Sequence, residues 1–124
     1  IADLEREHGV HATSQVSIRV SDLNRISEIM RSLRDGAPTE VGGRLVLRMD
    51  DLLKPTDDLP PTDGLRFIVD GGIRIIIRPS GTEPKLKCYL QVVVPVDRDD
   101  LETARGVASE RMSAMRTAVS AWFD

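Results

Sequence analysis

The sequence predicts an α+β fold: an antiparallel sheet of four to five strands covered by two helices. Three observations predict it. Short stretches alternate apolar with polar residues, the period of strands with one buried face; two longer stretches repeat apolar residues every three or four positions, the period of helices; and the turns between most of the strands are short, which favours antiparallel neighbours.

Residues 1–13 read as the tail of a charged helix, Asp3-Leu4-Glu5-Arg6-Glu7, stopped at Gly9 and followed by a connector. The chain opens at Ile1 without a methionine, so it reads as a piece of a longer protein. In Gln15-Val16-Ser17-Ile18-Arg19-Val20 the alternation is that of a first strand. Ser21 or Asp22 is placed to cap a helix whose apolar positions are Leu23, Ile26, Met30 and Leu33, and Asp35-Gly36 with Pro38 closes it. Gly42-Gly43 opens a second strand, with Leu45, Leu47 and Met49 expected on one side and Val46 and Arg48 on the other. Lys54 to Gly64, polar and proline-bearing, is a connection. Asp70-Gly71-Gly72 joins the apolar Leu65–Val69 to a return strand beginning at Ile73, because glycine supplies the positive φ of a tight hairpin. Leu86, Cys88, Leu90, Val92 and Val94 alternate with Lys87, Tyr89, Gln91 and Val93 to make the longest strand. Asp97, Asp99, Asp100 and Glu102 put negative charge where a helix macrodipole favours it, and Leu101, Ala104, Ala108, Met112, Met115, Val119 and Trp122 continue as one apolar stripe.

The 124 residues make one domain, long enough to bury about 65–70% of the unfolded surface. With aromatics confined to Phe67, Tyr89, Trp122 and Phe123, the core must be aliphatic. A net charge of −3 and the lack of any Lys/Arg-rich run argue against nucleic acid as a partner. No apolar stretch reaches membrane-spanning length and no basic-then-apolar leader is present, which leaves the cytoplasm as the expected location and no membrane as a partner. The single Cys88 excludes an internal disulfide and, within an alternating apolar row, reads as a small core residue.

Most candidate sites have ordinary explanations. His8 and His11 are three apart, yet Gly9 between them breaks a helix and no further ligand stands nearby. Asp50-Asp51, Asp57-Asp58 and Asp99-Asp100 lack the alternating spacing that converges oxygens on one cation, so they read as loop and cap residues. Neither common nucleotide-loop pattern occurs. The exception is Arg78-Pro79-Ser80-Gly81-Thr82-Glu83-Pro84, between two strands. Arg78 offers a planar fork for two oxygens of an anion, Ser80 and Thr82 offer hydroxyls, and Gly81 lets backbone N–H groups come close. Pro79 and Pro84 limit the loop's freedom, Lys87 adds charge, and Glu83 reads as bracing the loop through N–H groups or a cation. A long hairpin turn with a solvated arginine uses the same residues, and composition leaves both readings open.

That seven-residue stretch, followed by Lys85-Leu86-Lys87-Cys88-Tyr89, resembles the phosphate-binding loop of the α-D-phosphohexomutase superfamily, the phosphoglucomutases and phosphomannomutases. The order of strands and helices resembles the family's fourth, C-terminal domain, whose fold is similar to that of the TATA-box-binding protein. The resemblance covers 14–124 and makes 1–13 the end of the preceding domain and its linker. It implies an isomerase that moves a phosphoryl group between two positions of a hexose or pentose phosphate through a phosphoserine. In that reaction this domain grips the phosphate not being transferred, through Arg78, Ser80, Gly81, Thr82 and Lys87. Many members carry arginine near Lys87 and an acidic residue where Gln91 stands. The family's phosphoserine loop and its magnesium loop belong to other domains, and neither is matched here. The resemblance therefore implies Mg2+ bound outside this chain, the other domains of a parent chain as partners, and no catalytic residue within these 124. The alternative is a stand-alone anion-binding or protein-interaction module without catalysis.

Overall fold

A computed structural model describes residues 9–54, 63–80, 82–96 and 100–122. The elements run β1 (Val10–Arg19), α1 (Leu23–Asp35), β2 (Glu40–Val41), β3 (Arg44–Asp51), β4 (Leu65–Val69), β5 (Ile73–Pro79), β6 (Lys85–Val94) and α2 (Leu101–Ala121). The strands form one sheet in the order β1-β6-β5-β4-β3-β2, every neighbouring pair antiparallel. The fold is the α+β class that the alternation and the helical stripes predict. Six strands stand where four to five are expected, the additional one being the two-residue β2.

One sheet face is apolar throughout. Leu65, Phe67 and Val69 of β4, Ile73, Ile75 and Ile77 of β5, and Leu86, Cys88, Leu90 and Val92 of β6 share it in register, each buried. Ile26, Ile29 and Met30 of α1 and Ala104, Ala108, Met115 and Val119 of α2 complete the same core. Phe67 meets Trp122 edge-on, ring centroids 5.4 Å apart. Burial pushes the Cys88 thiol up to about 12, so it stays a neutral core side chain at physiological pH.

Both helix starts are capped by carboxylates that take an orphan N–H. Asp22, rather than Ser21, accepts from Arg25 N at 2.9 Å, and Asp100 accepts from Thr103 N at 3.1 Å and from Thr103 Oγ1 at 2.8 Å. Gly36 closes α1 by donating to Ser32 O. Asp97 and Asp99 lie outside the described residues, as do His8, Asp57, Asp58 and the 1–8 part of the predicted helix tail.

Four details depart from the sequence expectation. The first strand starts at Val10, five residues before Gln15, because all ten residues of β6 find partners: Val10 pairs with Val94, and His11 with Val93. Leu23 stays exposed in the first turn of α1. Gly42 and Gly43, with φ of 57° and 81°, do not merely open β3; they are the two-residue turn joining it to β2, a turn that needs positive φ at both positions. Finally, a bulge between Val46 and Arg48 shifts β3 by one residue. Val46 and Met49 therefore both pack on the core while Leu45 and Leu47 are exposed, so the simple alternation expected there does not hold.

The hairpin at Asp70-Gly71-Gly72 forms as expected. Gly72 has φ +74°, and a Cβ there would lie 2.2 Å from the Val93 carbonyl oxygen, to whose residue Gly72 is already bonded through Val93 N–H. Gly72→Ala is expected to destabilise the chain by about 1–3 kcal/mol, read as a lower urea midpoint at unchanged slope. An unchanged midpoint would contradict this packing of the turn against β6.

Candidate functional site

Among the described residues the second face of the sheet has no helix on it, and it carries the charge. Arg19, Arg48, Arg66, Arg74, Arg78, Lys85 and Lys87 all point to it by strand alternation, joined by the carboxylate of Asp50. A chain of net charge −3 thus has one strongly basic face. Three of these cations have partners on the face: Arg66 Nε lies 2.9 Å and Arg48 Nε 3.2 Å from Asp50 Oδ2, and Arg74 donates to Gln91 Oε1 at 2.6 Å.

Arg78 and Lys87 are different. They are direct cross-strand partners on β5 and β6, and among the described residues neither has a hydrogen bond or ion pair. Like charges directly opposite each other repel, so this placement costs stability unless an anion joins them. The Arg78 stem passes over Gly64, where a Cβ would stand 3.2 Å from Arg78 Cγ and 3.1 Å from Ile77 O. Glycine at 64 leaves room for that stem.

The loop begins where this pair ends. Ser80 N donates to Lys85 O at 2.9 Å, and Lys85 N donates to Glu83 O at 2.8 Å, so the chain turns tightly between β5 and β6. Val20 N, just past β1, donates to Pro84 O at 2.8 Å and ties the loop from outside. Glu83 lies 3.1 Å from Arg19 Nη2 and 3.6 Å from Lys85 Nζ. The Arg19 hydrogen bond first, then the Lys85 charge, hold its carboxyl below the usual carboxylate range.

The residues picked out in the sequence are therefore not all in one place. Arg78 and Lys87 meet on the open face, and Thr82 is exposed at the tip. Pro79 and Ser80 line a groove of about 420 Å³ against α1, where Ser27, Met30, Arg31 and Arg34 form the other wall. Gly81 lies outside the described residues. Arg19, Lys85 and Gly64 are contributors that the sequence reading does not pick out; Lys85 directly follows the seven-residue stretch, and Arg19 becomes visible only once β1 is registered on β6.

Other features do not compete. Asp50 and Asp51 face opposite ways, Asp50 to Arg66 and Arg48, Asp51 to Arg34 at 3.2 Å, so each carboxylate is already engaged by arginine. Among the described residues no cluster of three or more His, Cys, Asp or Glu could hold a metal. A larger hollow of about 780 Å³ runs along Gly106, Ser109, Ser113 and Thr117 of α2, far from the loop in sequence, and its one charged lining residue is the anionic Glu110. Among the described residues no helix is long and apolar enough to cross a membrane.

The model of a family described as phosphoglucomutase/phosphomannomutase, C-terminal domain, matches residues 16–110. The chain belongs to this family. A probable phosphomannomutase of Haemophilus influenzae is 44% identical over 88 residues, which is 71% of this chain and 18% of that protein. A Staphylococcus aureus phosphoglucomutase is 36% identical over 88 residues, 62% of this chain and 16% of its own length. A solved structure of the Paramecium phosphoprotein pp63/parafusin, a phosphoglucomutase in open form, covers 98% of this chain with 22% of its own at 19% identity. Its TM-score of 0.49 is too low to weigh in the assignment. This phosphoglucomutase/phosphomannomutase C-terminal domain thus spans under a fifth of the length of the two curated relatives named.

Proposed function

We propose that this chain is the part of a phosphohexomutase that grips the phosphate not being transferred, with Arg78, Ser80, Gly81, Thr82 and Lys87 as the gripping residues. One observation carries the reading: Arg78 and Lys87 stand opposite each other at the root of the loop with no counter-charge among the described residues. A phosphate dianion is the partner such a pair lacks. Arg78 supplies two donors to two oxygens, Lys87 a point charge and the exposed Thr82 a hydroxyl, while Ser80, which borders the groove against α1 and whose N–H is bonded to Lys85 O, has to turn toward the open face to join them. Pro79, Glu83 and Pro84 brace it.

The longer protein would be a phosphomannomutase- or phosphoglucomutase-type isomerase in the cytoplasm, acting on a hexose or pentose phosphate, with its phosphoserine in another domain. Magnesium belongs to that other part as well. Among the described residues Asp50 and Asp51 are both engaged by arginine and no fitting ligand set stands together, and no step of the grip passes through the metal.

Hydrogen bonds to a charged group contribute roughly 1.5–3 kcal/mol each and association costs about 4–15 kcal/mol, so a few donors on an exposed loop leave a small surplus. A millimolar Kd corresponds to about −4 kcal/mol. Titrating the isotope-labelled chain with inorganic phosphate, glucose 1-phosphate and mannose 1-phosphate is therefore expected to move the amides of residues 78–83 with millimolar midpoints that weaken as salt rises. Amides that stay still well above millimolar ligand would sink the reading. Closure of the other domains over the sugar would exclude water and strengthen each contact.

A further inference from the structure

Arg19 has no role in the grip, yet its position is telling. Its Cα pairs with Lys85 across β1 and β6, so two cations face each other there just as Arg78 and Lys87 do across β5 and β6. The two pairs are adjacent, since Lys85 and Lys87 lie two residues apart on the same side of one strand. Among the described residues only the first has an anion: the Glu83 carboxylate, 3.1 Å from Arg19 and 3.6 Å from Lys85.

We propose that Arg19 is a positioning residue for the phosphate loop, holding the Glu83 carboxylate on the β1 side and so leaving the Arg78–Lys87 pair to the ligand. The proposal rests on reading the loop as a phosphate site. A carboxylate and a phosphate are alternative anions for the same donors, and a tethered one is present at an effective concentration in the millimolar range. That matches the millimolar affinity expected of the isolated chain, so the direction in which Glu83 turns decides how much ligand binds. Two tethers turn it away from the pair. The Arg19 guanidinium bonds the carboxylate, and Val20 N–H bonds the Pro84 carbonyl next to it. The charged groups facing Glu83 are Arg19 from β1 and Lys85 from β6, with Arg78 of β5 and Lys87 of β6 one row further along the same face. Because Glu83 is held below its ordinary range, the bridge is present at neutral pH and is lost as pH falls through that lowered value.

The test uses the intact chain, inorganic phosphate followed through the loop amides, and the Glu83 side-chain carboxyl followed by carbon NMR against pH. Arg19→Gln is expected to weaken phosphate about three- to fivefold, the scale of one exposed ion pair, and to raise the Glu83 midpoint. Adding Glu83→Gln to Arg19→Gln removes the competing anion and is expected to restore wild-type affinity, and Arg19→Lys is expected to retain most of it. Phosphate binding unchanged in Arg19→Gln overturns the proposal. So does a double variant no tighter than Arg19→Gln, which would make Arg19 a plain structural brace. A wild-type chain blind to phosphate overturns the proposed function instead; Arg19 is then judged on the ligand-free titration, where an unmoved Glu83 midpoint counts against it.

Discussion

Arg78→Ala is expected to abolish the response of the loop amides to phosphate while leaving the fold at wild-type stability. Arg78 is exposed on the open face, outside the apolar rows that make the core, so its loss takes no side chain out of that core. Substitutions at such positions usually stay within about 0.5 kcal/mol. Removing one member of a like-charge cross-strand pair also relieves repulsion with Lys87. For binding the loss is large in proportion. Two charge-assisted hydrogen bonds at roughly 1.5–3 kcal/mol each take most of a surplus near 4 kcal/mol, so a millimolar ligand becomes unmeasurable. Arg78→Lys keeps the charge and loses the planar fork, and is expected to bind detectably but more weakly than wild type. On the proposed function, Arg78→Ala in the full-length isomerase is expected to lower turnover without preventing phosphorylation of the serine. An Arg78→Ala chain that binds phosphate as the wild type does would remove the grip from this loop.

Phe67→Ala is expected to cost about 3–5 kcal/mol, the largest single loss in stability. Phe67 is fully buried in β4, paired with Ile75 on one side and Met49 on the other, and edge-on to Trp122 at 5.4 Å. Its ring thus joins the sheet to the end of α2. Apart from Trp122, the neighbours on the adjacent strands are Ile75 and Met49, which cannot fill the hole a ring leaves without moving the backbone. Domains of this size are stable by about 5–15 kcal/mol, so the variant is expected to be partly unfolded at moderate urea. Phe67→Leu, which leaves a smaller cavity, is expected to lose less. A cost below about 1 kcal/mol in Phe67→Ala would contradict the placement of this ring at the sheet–helix junction.

How far the sequence could be read depends on how local each signal is. The alternation of β6 survives intact because nothing interrupts it between Lys85 and Val94, and the positive-φ glycines of the β4–β5 turn act within three residues. β3 defeats the same reasoning. Its bulge lets Val46 and Met49 share the core, and a one-residue shift exchanges the faces of everything beyond it, leaving Leu47 outside. β2 is too short to show a period at all, and the start of β1 depends on how far β6 extends beside it. In the site, Arg78 and Lys87 were legible as cations, but their opposition was not, because it is a matter of register. Arg19 meets Glu83 across 64 positions of sequence, beyond the reach of any local pattern.

By itself the amino-acid sequence determined the fold class, the helices and the acidic residues at the start of the second, the glycine hairpin and the presence of a loop rich in anion-binding residue types. The tertiary structure alone decided which cations face one another, which of them Glu83 neutralises, and that Ser80 turns toward α1 while Arg78 and Lys87 share the open face. The physical reason is that periodicity and turn chemistry act over a few residues, whereas charge pairing between strands follows from register. Register is settled only when the whole apolar face finds its partners at once.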